Sequence, residues 1–164
     1  MALRQIRYDG DDILRKKCKE VKDMTKRTQV LIQDMFDTMY DAEGVGLAAP
    51  QVGVLKRIVV IDVDYETPYV LINPVIIERE GEQTGDEGCL SLPGKVATVT
   101  RPNRVVCKCL NADMQEVTIE GEGLLARAIC HEVDHLDGIL YKDVAEEPLR
   151  DIQYTLDEDE SEDS

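Results

Sequence analysis

The chain has 164 residues, 43% of them hydrophobic and 32% charged, and carries a formal net charge of −15. This describes one folded domain with its own core, and no apolar run approaches the roughly 20 residues that a membrane span needs. The acidity argues against general affinity for nucleic acid or anionic membrane. Five cysteines without small-scaffold spacing point to free thiols in a reducing cytoplasm rather than a disulfide framework.

In chain order, Met1 to Glu20 mixes many charges with three apolar anchors, Ile6, Ile13 and Leu14, in an alternation too broken for a strand. From Asp23 or Thr25 to about Asp41, Leu31, Ile32, Met35, Phe36 and Met39 recur at helical spacing, and Asp23 and Thr25 both suit an N-cap. Next comes Gly44 to Gly53. Its GVGLAA satisfies a dinucleotide-binding pattern, but a helix precedes it where a strand should, and Pro50 stands where the following helix should run. The segment reads either as a structural turn or as a place where glycines let the backbone approach a ligand, with Gln51 offering a side-chain amide.

Arg57 to Val63 and Tyr69 to Ile77 are rich in β-branched residues and read as strands, the second interrupted at Asn73-Pro74. A polar turn region, Glu78 to Asp86, leads to Cys89 in its Gly-Cys-Leu-Ser-Leu-Pro setting. Thr98 to Leu110 is a third β-rich stretch, in which Val105, Cys107 and Cys109 fall on one face and read as core. Asn111 to Asp113 forms a turn and Glu116 to Ile119 a return strand, a hairpin. Leu124, Leu125, Ala128, Ile129, Val133 and Leu136 then mark a helix apolar on most sides, and Gly138 supplies its end through a positive φ. Ile139 to Val144 reads as a further strand and Pro148 to Leu156 as a short helix. Asp157 to Ser164, with six acids, reads as a disordered tail.

The chemistry concentrates on that late helix. His131 and His135 are the only histidines, and four residues apart they share a helix face. Both imidazoles can reach one metal, with Glu132 placed to move protons. The alternative is a chance pair of packed histidines, which the intervening glutamate and the apolar helix disfavour. A third ligand is needed, and the candidates are Cys89 and the carboxylates.

Three segments together resemble the peptide deformylase family: GVGLAAPQ (Gly44 to Gln51), EGCLS (Glu87 to Ser91) and HEVDHLDG (His131 to Gly138). They stand in that family's order and separation, and the similarity covers roughly residues 3 to 145. The resemblance implies an α+β fold, with antiparallel β-sheets packed around a central metal-binding helix. It implies a catalytic domain over residues 1–147, followed by a short C-terminal segment, 148–164. The implied activity is removal of the formyl group from N-formylmethionyl nascent peptides in the cytoplasm. It implies Cys89, His131 and His135 as ligands of Fe²⁺, with Zn²⁺, Ni²⁺ or Co²⁺ as substitutes. It implies Glu132 as the proton-transfer group, the Gln51 amide and Leu90 N–H as oxyanion stabilisers, and Glu87 with Arg101 as a supporting ion pair. Val45, Gly46 and Gly88 match positions that pair with the substrate backbone, and Leu124 and Ala128 join Val45 around the methionine side chain.

These roles are chemically coherent. Two neutral imidazoles and a thiolate leave a tetrahedral position open, and the metal lowers the pKa of water there. Attack on the formyl carbon builds an oxyanion that amide and backbone donors stabilise. The chain departs from the family at Cys130, where Gln is common. That side chain faces about 100° away from His131 and reads as packing, although it leaves a thiol near the site that could oxidise. Some members carry a long basic C-terminal helix that docks on the ribosome. Here the end is acidic and would repel RNA, so transient ribosome association would need another route. Two other classes compete. An HExxH metallopeptidase would want a third His or Glu downstream, and no later histidine exists; contact between Cys89 and the metal separates the two. A non-catalytic acidic binding protein would carry no metal.

Overall fold

The computed structural model describes residues 2–152. The acidic tail, Asp157 to Ser164, and the end of the helix expected over Pro148 to Leu156 lie outside these residues. Helix α1 spans Lys26–Asp41 and strand β1 Gly46–Ala48, followed by a short 3-10 turn, Ala49–Val52. Then come β2 (Ile58–Ile61), β3 (Tyr69–Glu80), β4 (Gln83–Cys89), β5 (Leu92–Arg101), β6 (Arg104–Leu110) and β7 (Glu116–Glu122). Helix α2 (Leu124–Leu136), a single turn α3 (Tyr141–Val144) and the two-residue strand β8 (Arg150–Asp151) complete it.

Antiparallel pairing builds two sheets, one in the order β1-β2-β3-β6-β7 and one in the order β4-β5-β8. The expected α+β architecture is present. Of the two candidate caps before helix α1, Thr25 is the one used: its side chain accepts from the Thr28 N–H at 3.1 Å, satisfying one of the four unpaired amides of the first turn. Its apolar stripe, Leu31, Ile32, Met35 and Met39, packs on the face of the larger sheet that carries Leu47, Ile58, Val60 and Ile72. The opposite face, with Val59, Ile61, Leu71, Val105, Cys107 and Cys109, packs on Ile129, Cys130 and Leu136 of α2. Strand β2 therefore contributes to two cores, which is why its sequence is apolar without alternation. A third cluster, centred on Leu92, Ala97, Val99, Leu140 and Tyr141, joins the smaller sheet to the chain's N-terminal part through Leu14. Of the three N-terminal anchors, Leu14 is buried, while Ile6 and Ile13 are half-buried.

Four expectations need correction. Glu78 to Asp86 is not a long turn: β3 runs on to Glu80, Gly81 makes the turn at φ +66°, and β4 starts at Gln83. Its charged residues suit strand ends that project into solvent, where polarity says nothing against extended backbone. Thr98 to Leu110 is two strands rather than one, because Pro102-Asn103 turns the chain between β5 and β6. Ile139 to Val144 is a helical turn instead of a strand, as the Asp143 carboxylate accepts the Leu140 N–H at 2.9 Å and caps it. Arg150 and Asp151 pair with β5 instead of forming a helix. The break at Asn73-Pro74 is a register shift inside β3. Asn73 sits at φ +51°, and its side chain accepts the Val21 N–H at 2.9 Å and donates to the Val21 carbonyl at 2.8 Å.

A candidate metal centre in a peptide cleft

Helix α2 lies between the sheets and carries both histidines on the side away from its core stripe. Both are buried. The β4–β5 turn brings Cys89 to them: Sγ lies 3.3 Å from His135 Nε2, and one donor atom from each of the three residues falls within 4.8 Å of the others. His131 is oriented from behind, since its Nδ1–H donates to Glu87 Oε2 at 2.6 Å and leaves Nε2 facing Glu132 Oε2 at 4.0 Å. A hydrogen bond on one ring nitrogen sets the tautomer and aims the other at the ligand.

Glu87 is the hub of that support. Arg101 grips both of its oxygens, through Nε at 3.1 Å and a terminal nitrogen at 2.7 Å, and also reaches Asp134 at 2.8 Å. Arg127 donates to the first oxygen at 2.8 Å. Burial alone would raise the Glu87 carboxyl, but hydrogen bonds from His131 and Arg101 outweigh it and hold it at about 2. Asp134 carries no mark of this role in the sequence. Arg127 did leave a trace, because it sits one turn before His131 and places a charge among the apolar residues of α2. Tyr141 left none: its ring lies over His131 with centroids 5.8 Å apart and its hydroxyl donates to the Lys95 carbonyl at 3.1 Å, a meeting that tertiary structure alone creates.

Glu132 is almost fully buried beside the donor cluster, and its Oε1 has no hydrogen-bond partner among the described residues. Burial pushes its carboxyl up to about 7, with repulsion from Glu87 adding and His131 opposing. Gly46 explains how the carboxylate fits, since a Cβ there would stand 2.6 Å from Oε2. His135 is held well below its ordinary pKa by burial and by the charge of His131. For His131 burial works downward too, but Glu132, Cys89 and Glu87 outweigh it and raise it strongly. The cluster thus favours a positive charge among its anions, a place that a cation can take from a proton. A soft sulfur, two imidazoles and a partnerless carboxylate oxygen fit a divalent transition metal.

Gln51, on the 3-10 turn after β1, is buried and fixed at both ends of its amide. Oε1 accepts from the Ala48 N–H at 2.9 Å, and Nε2 donates to Ser91 Oγ at 3.0 Å and toward Cys89 Sγ at 3.5 Å. Leu90 stands across from Gly44, where a Cβ would meet its side chain at 2.7 Å. A cavity of about 400 Å³ opens over the donors, and Val45, Gly46, Gly88, Leu124 and Ala128 all line it. Strands β1 and β4 are edge strands of their respective sheets, and both border this cavity, so a peptide has two open edges available. Cys130 is buried in the core against the larger sheet, away from the donors, as its helix angle predicts.

The polypeptide deformylase family model matches residues 3–151. A peptide deformylase from Agathobacter rectalis is 62% identical over 94% of this chain and 97% of its own length, and one from Lachnoclostridium phytofermentans is 58% identical over 99% and 100%. Among solved structures, a peptide deformylase from Thermotoga maritima superposes with a TM-score of 0.86 at 39% identity, covering 90% of this chain and all of that one. One from Legionella pneumophila gives 0.85 at 48% identity, covering 87% and 86%. A match of this extent, on a fold that gathers Cys89, His131 and His135 beside Glu132, means that the chain belongs to the polypeptide deformylase family, metal-dependent hydrolases that remove the formyl group from an N-terminal methionine.

Proposed function

We propose that Cys89, His131 and His135 hold Fe²⁺, replaceable by Zn²⁺, Ni²⁺ or Co²⁺, and that the cavity above them takes N-formylmethionyl nascent peptides in the cytoplasm. The carrying observation is the convergence of the three donor atoms within 4.8 Å beside a buried carboxylate. When bound, the cation supplies Lewis-acid polarisation of the formyl oxygen and makes water a nucleophile near neutral pH. Glu132 takes the proton of the attacking water and returns it to the leaving amine, and its buried position next to the donors supports both steps. With a cation held by Cys89, His131 and His135, the Glu132 carboxylate form would be stabilised, leaving Glu132 ready to act as the base.

The oxygen of the attacked formyl group becomes an anion. Gln51 Nε2 and the Leu90 N–H donate to it, and the amide reaches the reaction already oriented by Ala48 and Ser91. The peptide backbone pairs with Val45, Gly46 and Gly88 as an added strand, and Val45, Leu124 and Ala128 enclose the methionine side chain. Glu87 and Arg101 hold His131 in its ligating tautomer. Residues 1–147 are the catalytic domain in this reading, and 148–164 a short C-terminal segment. Any ribosome association is transient and runs through contacts other than the acidic tail.

The test is elemental analysis after oxygen-free purification, together with formate release from a formyl-Met peptide. Stoichiometric iron and chelator-sensitive turnover are expected. Turnover that survives complete removal of metal would overturn the assignment.

A further inference from the structure

We infer that the segment from Glu146 to Ile152 is a wall of the substrate cleft and that Ile152 selects for apolar side chains in the peptide beyond the formylated residue. This rests on the deformylase reading above. The segment lies along β5, the strand that follows the Cys89 turn. The Glu146 N–H donates to the Thr98 carbonyl and the Ile152 N–H to the Gly94 carbonyl, both at 2.9 Å, with Arg150 opposite Val96 and Asp151 opposite Lys95 between them. Side chains pin it further: Asp151 pairs with Lys95, Arg150 with Asp86 of β4, and Leu149 packs into the cluster of Leu14, Leu140 and Tyr141. At its end the half-buried Ile152 borders the same cavity as His131 and Glu132.

Substrate chemistry decides what meets Ile152. A formyl group caps the amino terminus, so nothing precedes it, and every other contact lies downstream. The donor cluster takes the formyl end, and Val45, Leu124 and Ala128 take the first side chain. The remaining wall, formed by Pro93, Gly94, Lys95 and Ile152, is left for the residues that follow. A branched aliphatic side chain there favours an apolar partner and offers an acidic one no compensation for lost water, since the Lys95 ammonium is already paired with Asp151.

The experiment uses the full-length, metal-loaded enzyme and two sets of formyl-Met peptides, with Leu or Glu placed in turn at the second, third and fourth residues. The parent should favour Leu over Glu in kcat/KM at one of these positions, and Ile152→Ala should cut that ratio by about tenfold, the scale of an apolar contact in a binding pocket. Ile152→Lys should invert it in favour of Glu. Each ratio is taken within one enzyme preparation, so a partly unfolded variant does not disturb it. Ratios identical in the parent and both variants at all three positions would overturn the role of Ile152 while leaving deformylation intact. A metal-loaded parent that released no formate from any peptide would overturn the deformylase reading and this inference together.

Discussion

Glu132 and Glu87 are buried carboxylates that face the two ring nitrogens of His131, yet their surroundings drive them in opposite directions. Glu87 has two arginines and a histidine and is held at about 2, while Glu132, with one oxygen unpartnered, is pushed up to about 7. Environments that separate two like groups divide their work, one as support and one as proton carrier. Glu132→Ala should therefore keep its metal and lose at least ~10² in turnover, the usual contribution of a general base. Paired metal and formate assays check this, and stoichiometric loss of metal would make the glutamate a ligand. Arg127 belongs with the supporting set. Arg127→Met removes one of the two cations on Glu87 and should weaken metal binding by roughly 10- to 100-fold, the range for such outer partners. Competition with a chromogenic chelator measures it, and unchanged affinity would show that Arg101 alone suffices.

Among the elements, α2 depends on how it ends. The Leu136 carbonyl accepts from the Cys18 N–H at 2.8 Å and from Arg57 at 3.1 Å, which docks the helix terminus onto the chain's first segment. Gly138, at φ +76°, passes so close to Arg15 that a Cβ would stand 2.5 Å from its backbone oxygen. No flexible side chain can yield there. Gly138→Ala should cost about 1–3 kcal/mol through the left-handed backbone alone, and more if the clash is not relieved. Chemical denaturation of the metal-loaded enzyme reads the loss, and a variant as stable as the parent would mean that the turn relaxes freely. The one-turn α3 and the pairing of β8 on β5 behave differently from α2. Neither has a periodic pattern long enough to declare itself, and each exists because a partner, Asp143 or β5, captures its backbone groups.

At the scale of the molecule, the two sheets act as jaws on either side of α2, each presenting an edge strand to the cavity while the helix provides donors and base. The open cleft that admits a peptide also admits oxygen. With Fe²⁺ in place, oxidation of the metal or of Cys89 should inactivate the enzyme in air, whereas the Ni²⁺ form, lacking an easy one-electron route, should last far longer. Timed inactivation of the two forms tests this, and equal lifetimes would sink the role of iron. Cys130 is nearly out of reach of solvent, at 6% exposure, so Cys130→Gln should decay no more slowly than its parent. A longer-lived variant would place part of the damage at that thiol.

What the sequence determined by itself was the chemistry and the regular, periodic parts. The i, i+4 histidines with Glu132 between them, the helix α1 behind one of two candidate caps, the β-branched strand β2 and the positive φ at Gly138 all follow from local spacing and local sterics, and residue order is enough to state them. The three motif segments carried the family. Tertiary structure decided what depends on contact between distant segments: that Cys89 lies within reach of two histidines more than forty residues away, that Arg127 and Asp134 close the network around Glu87, and that Tyr141 covers His131. It also decided the charged strand ends from Glu78 to Asp86 and the fate of the segments after α2. A short polar stretch has no strong preference of its own, and its conformation is chosen by whichever neighbour satisfies its backbone hydrogen bonds.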